Sequence, residues 1–310
     1  MTHASGPGRY ARELVRALVR LPDAPELGLY EVGRAARSVP QADLGLEGAR
    51  VRRLVSGWPR RLHERLPFAG CGAADEALGG VELFHRILPG TPRIARARTS
   101  LALPEWPLAE RAEELRAASA VFVFCRDYRE RAVQRLGLDP ARVHQVAVGC
   151  EHWARALPRL PPRAHPPRIV ALDAGPHTEL RETVARLSTR SRPLEFVSAR
   201  EAGAREADLP TLVASASALV HLVPEAGTAV TPLEALALGT PVVVRRLPAF
   251  EEALGEQVFW AEPLERALEE ALASASDPAA DRARVGHAQA FSWERSAREH
   301  LDVWRAVSGA

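Results

Sequence analysis

The sequence predicts an α/β protein built as two domains, each with a parallel sheet covered by helices. Short apolar runs alternate with helical patterns along nearly the whole chain, and parallel strands need such crossover helices between them. A proline-dense stretch, WARALPRLPPRAHPPR, interrupts the alternation once. Because proline excludes a regular helix there, we expect a stiff linker between the two domains.

The first domain is predicted over residues 1–155. It opens with GPGRYARELVRALVRL, a glycine loop that runs into an amphipathic helix with arginines between its apolar positions. Five apolar runs then predict strands: LGLYEV, VRRLV, VELFH, AVFVFC and VHQVAV. Helices are expected before the fourth and fifth of these strands, at AERAEELRAA and DYRERAVQRL.

The second domain is predicted over residues 169–290, after a linker at 156–168. Strands are expected at RIVALDAG, LEFVS, ALVHLV, PVVV and QVFW. Helices are expected from Thr178, near LPTLVASA, behind Val230, at EEALG and at PLERALEEALASA. The segment 291–310 is expected to close the chain as a helix, SWERSAREHLDVWRAV.

Composition favours a globular protein that does not bind nucleic acid. The 310 residues are 46% hydrophobic and 26% charged, with a formal net charge of +2. All 41 basic residues are arginine, so a phosphate must be held by arginine, histidine, hydroxyls or backbone N–H groups. The three cysteines form no CxxC pair, and no apolar run reaches signal-peptide or membrane-spanning length. We expect a cytoplasmic protein without a metal site or a transmembrane segment.

The stretch PEAGTAVTPLEALALGTPVVV, residues 224–244, places a small-residue loop and a helix after a predicted strand. Backbone N–H groups and the helix dipole near Val230 would favour an anion. Glu234, one turn into the helix, could accept hydrogen bonds from a ribose diol. The alternative is structural: Gly227 only permits a tight turn, and Glu234 only favours the positive end of the dipole.

The stretch LDAGPHTELRE repeats this order of strand, glycine and helix, with Thr178 as the cap. His177 and Arg181 could meet a diphosphate there, although an ordinary helix cap has the same pattern. Near the start of the chain, the GPGR loop could approach a ligand closely but lacks the full dinucleotide fingerprint. His85 ends the strand VELFHR and is either a general base or a polar strand end.

Taken together, these segments resemble the retaining, nucleotide-sugar-dependent glycosyltransferases of group 1, which have the GT-B fold. Four stretches carry the similarity: GPGRYARELVRAL, AASAVFVFCRDYRERAVQRLGLDPARVHQVAVGCE, LPTLVASASALVHLVPEAGTAVTPLEALALGTPVVVRRLPAFEEALGE and FSWERSAREHLDVWRAV. The resemblance implies two Rossmann-like domains that face each other across a cleft. It implies a UDP- or GDP-linked sugar as the donor, with no prosthetic group, and a carbohydrate or a lipid-linked sugar as the acceptor.

The resemblance also implies roles for particular residues. Glu234 would bind the ribose, and Arg181 would pair with the diphosphate. Further donor contacts are implied at Gly175, His177, Gly227, Thr228, Ala229 and Val230. The catalytic candidates are Glu225, facing the transferred sugar, and His85. The loop over the cleft would consist of Gly6, Gly8 and Arg9.

Several positions depart from the family pattern. Without a gap, the first family glutamate falls on Ala226, and Glu225 lies one residue early. Pro176 stands at the position of the diphosphate arginine, and Arg96 and Ala97 stand where the family has His-Asp. The glycine loop begins the chain, so the first sheet is expected to lack its usual N-terminal strand or to receive one from a partner chain.

Two functions from different classes are therefore open. The first is a glycosyltransferase that works with retention and without a metal, in the cytoplasm or at the inner membrane face. The second is a catalytically inactive relative that binds a nucleotide or carbohydrate or serves as a structural subunit. The replaced family positions favour the second function, and the near-complete donor segment favours the first.

Overall fold

A computed structural model describes residues 6–32, 44–46, 51–56, 73–87, 92–106, 111–173 and 175–309. The chain forms two compact units: Met1–Val148 with Trp293–Ala310, and Gly149–Ser292. The segment expected as a linker, 156–168, lies within the second unit, and the closing helix belongs to the first. Both units are mixed α/β structures with parallel sheets, as the sequence predicts. No helix in these ranges is long and apolar enough to cross a membrane.

Two parallel sheets are seen among the described residues of the first unit. One pairs β1 (Leu27–Val32) with β2 (Val51–Ser56). The other has the order β3-β4-β5-β6, with β3 at Leu83–Arg86, β4 at Arg98–Ala102, β5 at Ala120–Val123 and β6 at Val143–Gln145. The strand β4 is not among the predicted ones. It is nevertheless central, because it pairs with β3 on one side and β5 on the other.

Five helices of the first unit are described: α1 (Gly6–Leu18), α2 (Ala74–Ala77), α3 (Ala112–Ala117), α4 (Arg126–Leu136) and α12 (Trp293–Ser308). The core joins the two ends of the sequence, because Tyr10, Leu14 and Leu18 of α1 share a buried cluster with Trp293 and Leu301 of α12. The apolar side chains whose spacing predicts α1 therefore pack against α12.

The predicted glycine loop before α1 is wrong. The helix begins at Gly6, so Gly6 and Gly8 lie inside it, and the Arg9 side chain is buried in the first unit. Each glycine costs a helix up to about 1 kcal/mol relative to alanine. Burial of the apolar face against α12 outweighs this cost, because packing contributes more to helix stability than propensity does.

The second unit contains one five-stranded parallel sheet. Its order is β11-β10-β9-β7-β8, with β7 at Arg168–Ala171, β8 at Glu195–Ser198, β9 at Ala218–His221, β10 at Val242–Val244 and β11 at Phe259–Trp260. The helices are α5 (His152–Ala156), α6 (Thr178–Leu187), α7 (Leu209–Ala214), α8 (Val230–Ala237), α9 (Pro248–Leu254), α10 (Leu264–Ser274) and α11 (Pro278–Ala288). Ile169, Val220 and Val243 bring three of the strands into one buried cluster, which helices α6 and α10 cover.

The strand order of this sheet contains a topological switch point. The chain passes from β7 to β8 on one side and then to β9 on the other side of β7. The connections that leave β7 and β9 therefore separate and open a crevice beyond the carboxyl ends of these strands. In open parallel sheets, ligands bind in such a crevice.

Candidate functional site

The candidate site lies at the carboxyl ends of β7 and β9 in the second unit. Helix α6 follows β7, and helix α8 follows β9. Their N-cap residues are His177 and Ala229, and neither caps its helix with a side-chain hydrogen bond within the described residues. Both helices thus begin without a side-chain cap, next to the switch point. Such starts combine backbone N–H donors with the positive end of a helix dipole, which suits an anionic ligand.

The loop before α8 offers backbone rather than long side chains. Gly227, Ala229 and Val230 are buried, Thr228 is half-buried, and Glu225 is exposed. The expected N–H groups therefore belong to small residues that allow close approach. Glu225 lies in the same loop, and its expected contact with the transferred sugar stays a prediction.

Glu234 differs from the sequence expectation. It lies in the second turn of α8 with its side chain 0% exposed, and its Oε1 is 3.1 Å from Nε2 of His152 on α5. A carboxylate that leaves water needs a partner of this kind, because an isolated buried charge is very costly. A ribose diol would reach Glu234 only after His152 gives way, so the simple ribose contact expected from the sequence needs a prior opening step.

Asp173 lies between two imidazole rings at the switch point. Its Oδ2 is 3.8 Å from Nδ1 of His177, and its Oδ1 is 3.9 Å from Nδ1 of His221. His177 also donates from Nε2 to the backbone oxygen of Asp173 at 3.1 Å, so its ring, 4% exposed, is turned inward. The expected contact of the His177 ring with the diphosphate stays a prediction.

The turn from β7 into α6 is tightly constrained. His177 has a φ of 53°, a left-handed conformation that a residue with a side chain adopts only at a cost of about 1–3 kcal/mol. A Cβ at Gly175 would lie 3.3 Å from Oδ2 of Asp173. Glycine therefore lets the Asp173 carboxylate fold back over its own turn. Gly175 and His177 thus shape this turn, and their expected donor contacts stay predictions.

Arg181 is an exposed cation in the helix that follows β7. It forms an ion pair with Glu201, and its guanidinium lies 4.6 Å from the centre of the Phe196 ring. Both charged side chains of the pair are largely exposed, at 42% for Arg181 and 58% for Glu201. Exposed pairs contribute little free energy, so breaking the pair between Arg181 and Glu201 would cost little.

His85, the second catalytic candidate, lies in the core of the first unit. Its ring packs against Phe122, His300 and Trp304, and Nδ1 is 2.9 Å from Oγ of Ser100. Burial, with a contribution from His300, holds the pKa of His85 well below its usual range. A ring packed in this way is typical of a structural histidine, and the general-base role of His85 stays a prediction.

Three residues of the site were not predicted: His152, Asp173 and His221. Asp173 and His221 carry a usable signal, because each is a polar side chain at the end of an apolar run that reads as a parallel strand. The sequence gives no such signal for His152, because His152 belongs to a helix at the edge of the expected proline-rich linker. Among the described residues, no group of three or more histidine, cysteine, aspartate or glutamate side chains is arranged to hold a metal.

Comparison with known proteins assigns the fold. Residues 140–277 match the family model of glycosyl transferases group 1. A solved glycosyltransferase from Rickettsia africae is 10% identical with a TM-score of 0.66, covering 97% of this chain and 95% of that one. Sucrose-phosphate synthase from Thermosynechococcus elongatus is 17% identical with a TM-score of 0.63, covering 98% and 94%. No curated protein matches by sequence.

A third similar structure is HepE from Anabaena, solved in complex with UDP and glucose. It is 12% identical to this chain with a TM-score of 0.60, and the match covers 100% of this chain and 98% of that one. At these identities the solved structures show the fold alone. They confirm the GT-B fold, and the family match places group 1 sequence features across the candidate site.

Proposed function

We propose that this GT-B glycosyltransferase-like chain, a group 1 protein over residues 140–277, transfers a sugar from a nucleoside-diphosphate donor to an acceptor. The donor would be a UDP- or GDP-linked sugar held by the second unit. The acceptor would be a carbohydrate or a lipid-linked sugar. One observation carries the proposal: two helices without side-chain caps, α6 and α8, begin beside the switch point between β7 and β9.

The diphosphate is the part of the donor that this geometry suits best. Phosphate oxygens bind readily at helix starts, because backbone N–H groups and the dipole act together. The small residues 227–230 allow a phosphate to come close to the backbone of α8. Arg181, in the first turn of α6, supplies the one side-chain cation of the site that was expected from the sequence.

The ribose contact through Glu234 is proposed with an opening step. His152 covers Glu234 at 3.1 Å, so the ribose hydroxyls would replace the imidazole as partners of the carboxylate. The replacement exchanges one polar partner for two hydroxyl donors. It keeps the buried charge satisfied, which the low-dielectric surroundings require.

The transfer is proposed to proceed with retention and without a metal. The leaving diphosphate develops charge as the bond to the sugar breaks. Preorganised N–H groups and an arginine stabilise such charge without reorganisation. Glu225 would contact the transferred sugar from the exposed part of the loop.

A non-catalytic role is the second candidate, and two observations favour it. His152 covers the buried carboxylate of Glu234. Ala226 stands at the position where an acid facing the sugar is expected. A chain of this kind could bind a nucleotide or carbohydrate without turnover, since a fold does not fix a function.

Calorimetric titration with UDP, GDP and their sugar conjugates tests donor binding, and release of the free sugar tests turnover. The proposal expects one nucleotide to bind and Glu234→Gln to weaken it. Glu195→Gln is the matched control, because Glu195 lies at the amino end of β8, paired with Arg168. Binding without sugar release or transfer selects the non-catalytic role. If neither nucleotide binds, the proposal is wrong.

A further inference from the structure

The proline-rich segment contains an exposed strap, residues 158–162, with the sequence PRLPP. All of its residues are exposed except Pro161, which is half-buried. Leu160 is 49% exposed, and no other large hydrophobic side chain is exposed within the described ranges. A single leucine at the surface is ordinary, but this one lies in a segment that exposes its backbone and a charge as well.

Both ends of the strap are fixed to the second unit. On one side, the backbone N–H of Leu157 donates to the carbonyl oxygen of Ala154 at 3.3 Å. On the other side, the backbone N–H of Ala164 donates to the carbonyl oxygen of Ser215 at 2.7 Å, and the Arg163 guanidinium donates to three further backbone oxygens. The strap is therefore presented at the surface between two attachments.

Proline restricts the backbone of the strap. Proline holds its own φ near about −65° and keeps the preceding residue out of the helical region. Leu157, which precedes Pro158, is extended with φ −116° and ψ 91°, and residues 158–162 belong to no helix or strand. Such a segment favours the polyproline II conformation. A partner that binds it loses little affinity to ordering, because the strap is already ordered.

The strap has acceptors and a cation that the fold does not use. The backbone carbonyl oxygens of residues 158–162 accept no hydrogen bond from the described part of the chain. Arg159 has no ion pair or hydrogen bond there either, whereas Arg155 pairs with Glu151. No acidic residue occurs between Glu151 and Asp173. The strap therefore offers positive charge to an acidic partner.

The strap lies at the amino edge of the second sheet. Its anchors Ser215 and Gly239 come shortly before β9 and β10, whereas the candidate site lies beyond the carboxyl ends of β7 and β9. A molecule seated on the strap would leave the starts of α6 and α8 uncovered. This surface is therefore independent of nucleotide binding.

We propose that the strap is a docking site for a protein with an aromatic-lined groove that carries a carboxylate. Grooves of this kind bind proline-rich segments in the polyproline II conformation. Leu160 and Pro161 contact the aromatic side chains, and Arg159 pairs with the carboxylate. Indole N–H or phenol O–H groups of the groove donate to the unused carbonyl oxygens. The proposal does not depend on donor binding or on sugar transfer.

A lipid surface fits these observations less well. One leucine inserts far less apolar surface than a whole acyl chain, and even a single acyl chain binds a membrane only marginally. The hydrocarbon region also offers no donors for the carbonyl oxygens of the strap. A protein groove satisfies the apolar side chain, the charge and the backbone acceptors together.

NMR titration of isotope-labelled SH3 domains with the whole folded chain tests the proposal. The probes are several SH3 domains that carry acidic residues beside the aromatic groove. We expect at least one domain to bind with a dissociation constant below about 1 mM, with shifts at its groove residues. A free proline-rich peptide that occupies the groove should displace the wild-type chain, a measurement that needs no variant.

Variants of the strap locate the contact on this chain. Leu160→Ala and Pro161→Ala should each weaken binding by about fivefold, and Arg159→Glu by about tenfold. The matched controls are Arg190→Glu and Pro193→Ala, at exposed positions in the loop before β8. They should change binding by less than about twofold. Calorimetric titration with UDP should give the same result for every variant as for the wild type.

The alternative outcomes overturn the proposal. If no domain shows groove shifts, or if the strap variants bind as well as the controls do, the strap is not a site of this kind. Cosedimentation with vesicles of phosphatidylcholine and phosphatidylserine examines the lipid alternative. Vesicle binding that Leu160→Ala and Arg159→Glu abolish, without binding to any domain, would assign the strap to a membrane instead.

Discussion

Oε1 of Glu234 and Nε2 of His152 lie 3.1 Å apart, with side chains 0% and 11% exposed. The pair joins α8 to the short helix α5 at the beginning of the second unit. In this pair, His152 contacts the carboxylate that the family pattern assigns to a ribose. If Glu234 binds the ribose as proposed, stability and ligand binding compete for the same side chain.

Breaking this pair should destabilise the second unit. His152→Ala leaves a buried carboxylate without its imidazole, and we expect the free energy of unfolding to fall by about 3 kcal/mol. Glu234→Gln removes the charge, so the double variant should cost less than the sum of the two single changes. Urea unfolding of the four proteins gives the coupling energy, and strictly additive costs would show that the two side chains do not interact.

His300 should make the first unit sensitive to mild acid. It donates from Nδ1 to the backbone oxygen of Ser296 and accepts the Tyr10 hydroxyl at Nε2, 2.7 Å away, so the folded state holds the neutral ring. Burial lowers the pKa of His300 to about 4, although the Ser296 carbonyl and Glu299 act in the opposite direction.

The sign of this effect follows from proton binding. An unfolded histidine takes up its proton as pH falls through about 6.5, whereas folded His300 does so only near pH 4. The unfolded state therefore binds more protons in between, and the free energy of unfolding should drop by about 3 kcal/mol as pH falls from about 6.5 to about 4. In His300→Gln, which should be less stable at neutral pH, this part of the curve should be flatter. An unchanged slope would contradict the assignment.

Asp75 should act in a separate, more acidic window. Its carboxylate accepts the backbone N–H groups of Ala95, Arg96 and Ala97 at 3.0, 2.8 and 2.9 Å. Burial raises the pKa of Asp75. The three hydrogen bonds, together with the backbone N–H of Asp75 itself, outweigh this effect and lower the pKa to about 2.

Because this pKa is depressed, the contribution is complete above the unfolded value and is lost as pH falls from about 4 to about 2. We expect Asp75→Asn to cost about 2 kcal/mol at neutral pH and progressively less in that window. Thermal unfolding of both proteins across the range tests this. A constant difference down to pH 2 would mean that the charge of Asp75 does not matter.

Arg163 ties the proline-rich segment to the second unit. Its guanidinium donates to the backbone oxygens of Ala214, Ala216 and Gly239 at 3.0, 2.7 and 3.0 Å, and to Oγ1 of Thr240 at 3.1 Å. A lysine cannot reproduce this planar set of donors. We expect Arg163→Lys to lower the free energy of unfolding by about 2 kcal/mol or more.

The matched control for Arg163 is Arg159→Lys, in the same segment at an exposed position. It should change the free energy of unfolding by less than about 0.5 kcal/mol. Chemical denaturation compares the two variants directly. Equal effects would show that the guanidinium contacts of Arg163 are not selective.

The strands of the second sheet were the most predictable part of the fold. The expected runs at RIVALDAG, LEFVS, ALVHLV and PVVV contain the observed β7, β8, β9 and β10, because strands buried on both faces are continuous apolar segments. The strand β4, RTSLA, was not predicted because it contains no continuous apolar segment. Its Ser100 is fully buried and contacts His85, a tertiary effect that the sequence pattern does not contain.

The elements that carry the candidate site were more predictable than the side-chain contacts within it. Strand, glycine and helix order are local signals, and they correctly predicted β7 followed by α6 and β9 followed by α8. Burial of Glu234 and the inward turn of His177 depend on His152 and Asp173, which approach from other elements. A one-dimensional pattern carries no information on such pairings, and the four-residue gap between Asp173 and His177 looks like an ordinary helix start.

A crystal structure of the protein with UDP or GDP would show where the donor binds. We expect diphosphate oxygens about 3 Å from backbone N–H groups of residues 227–230 and of the first turn of α6, with His152 withdrawn from Glu234. A nucleotide bound away from the carboxyl ends of β7 and β9, or no nucleotide at saturating concentration, would contradict it.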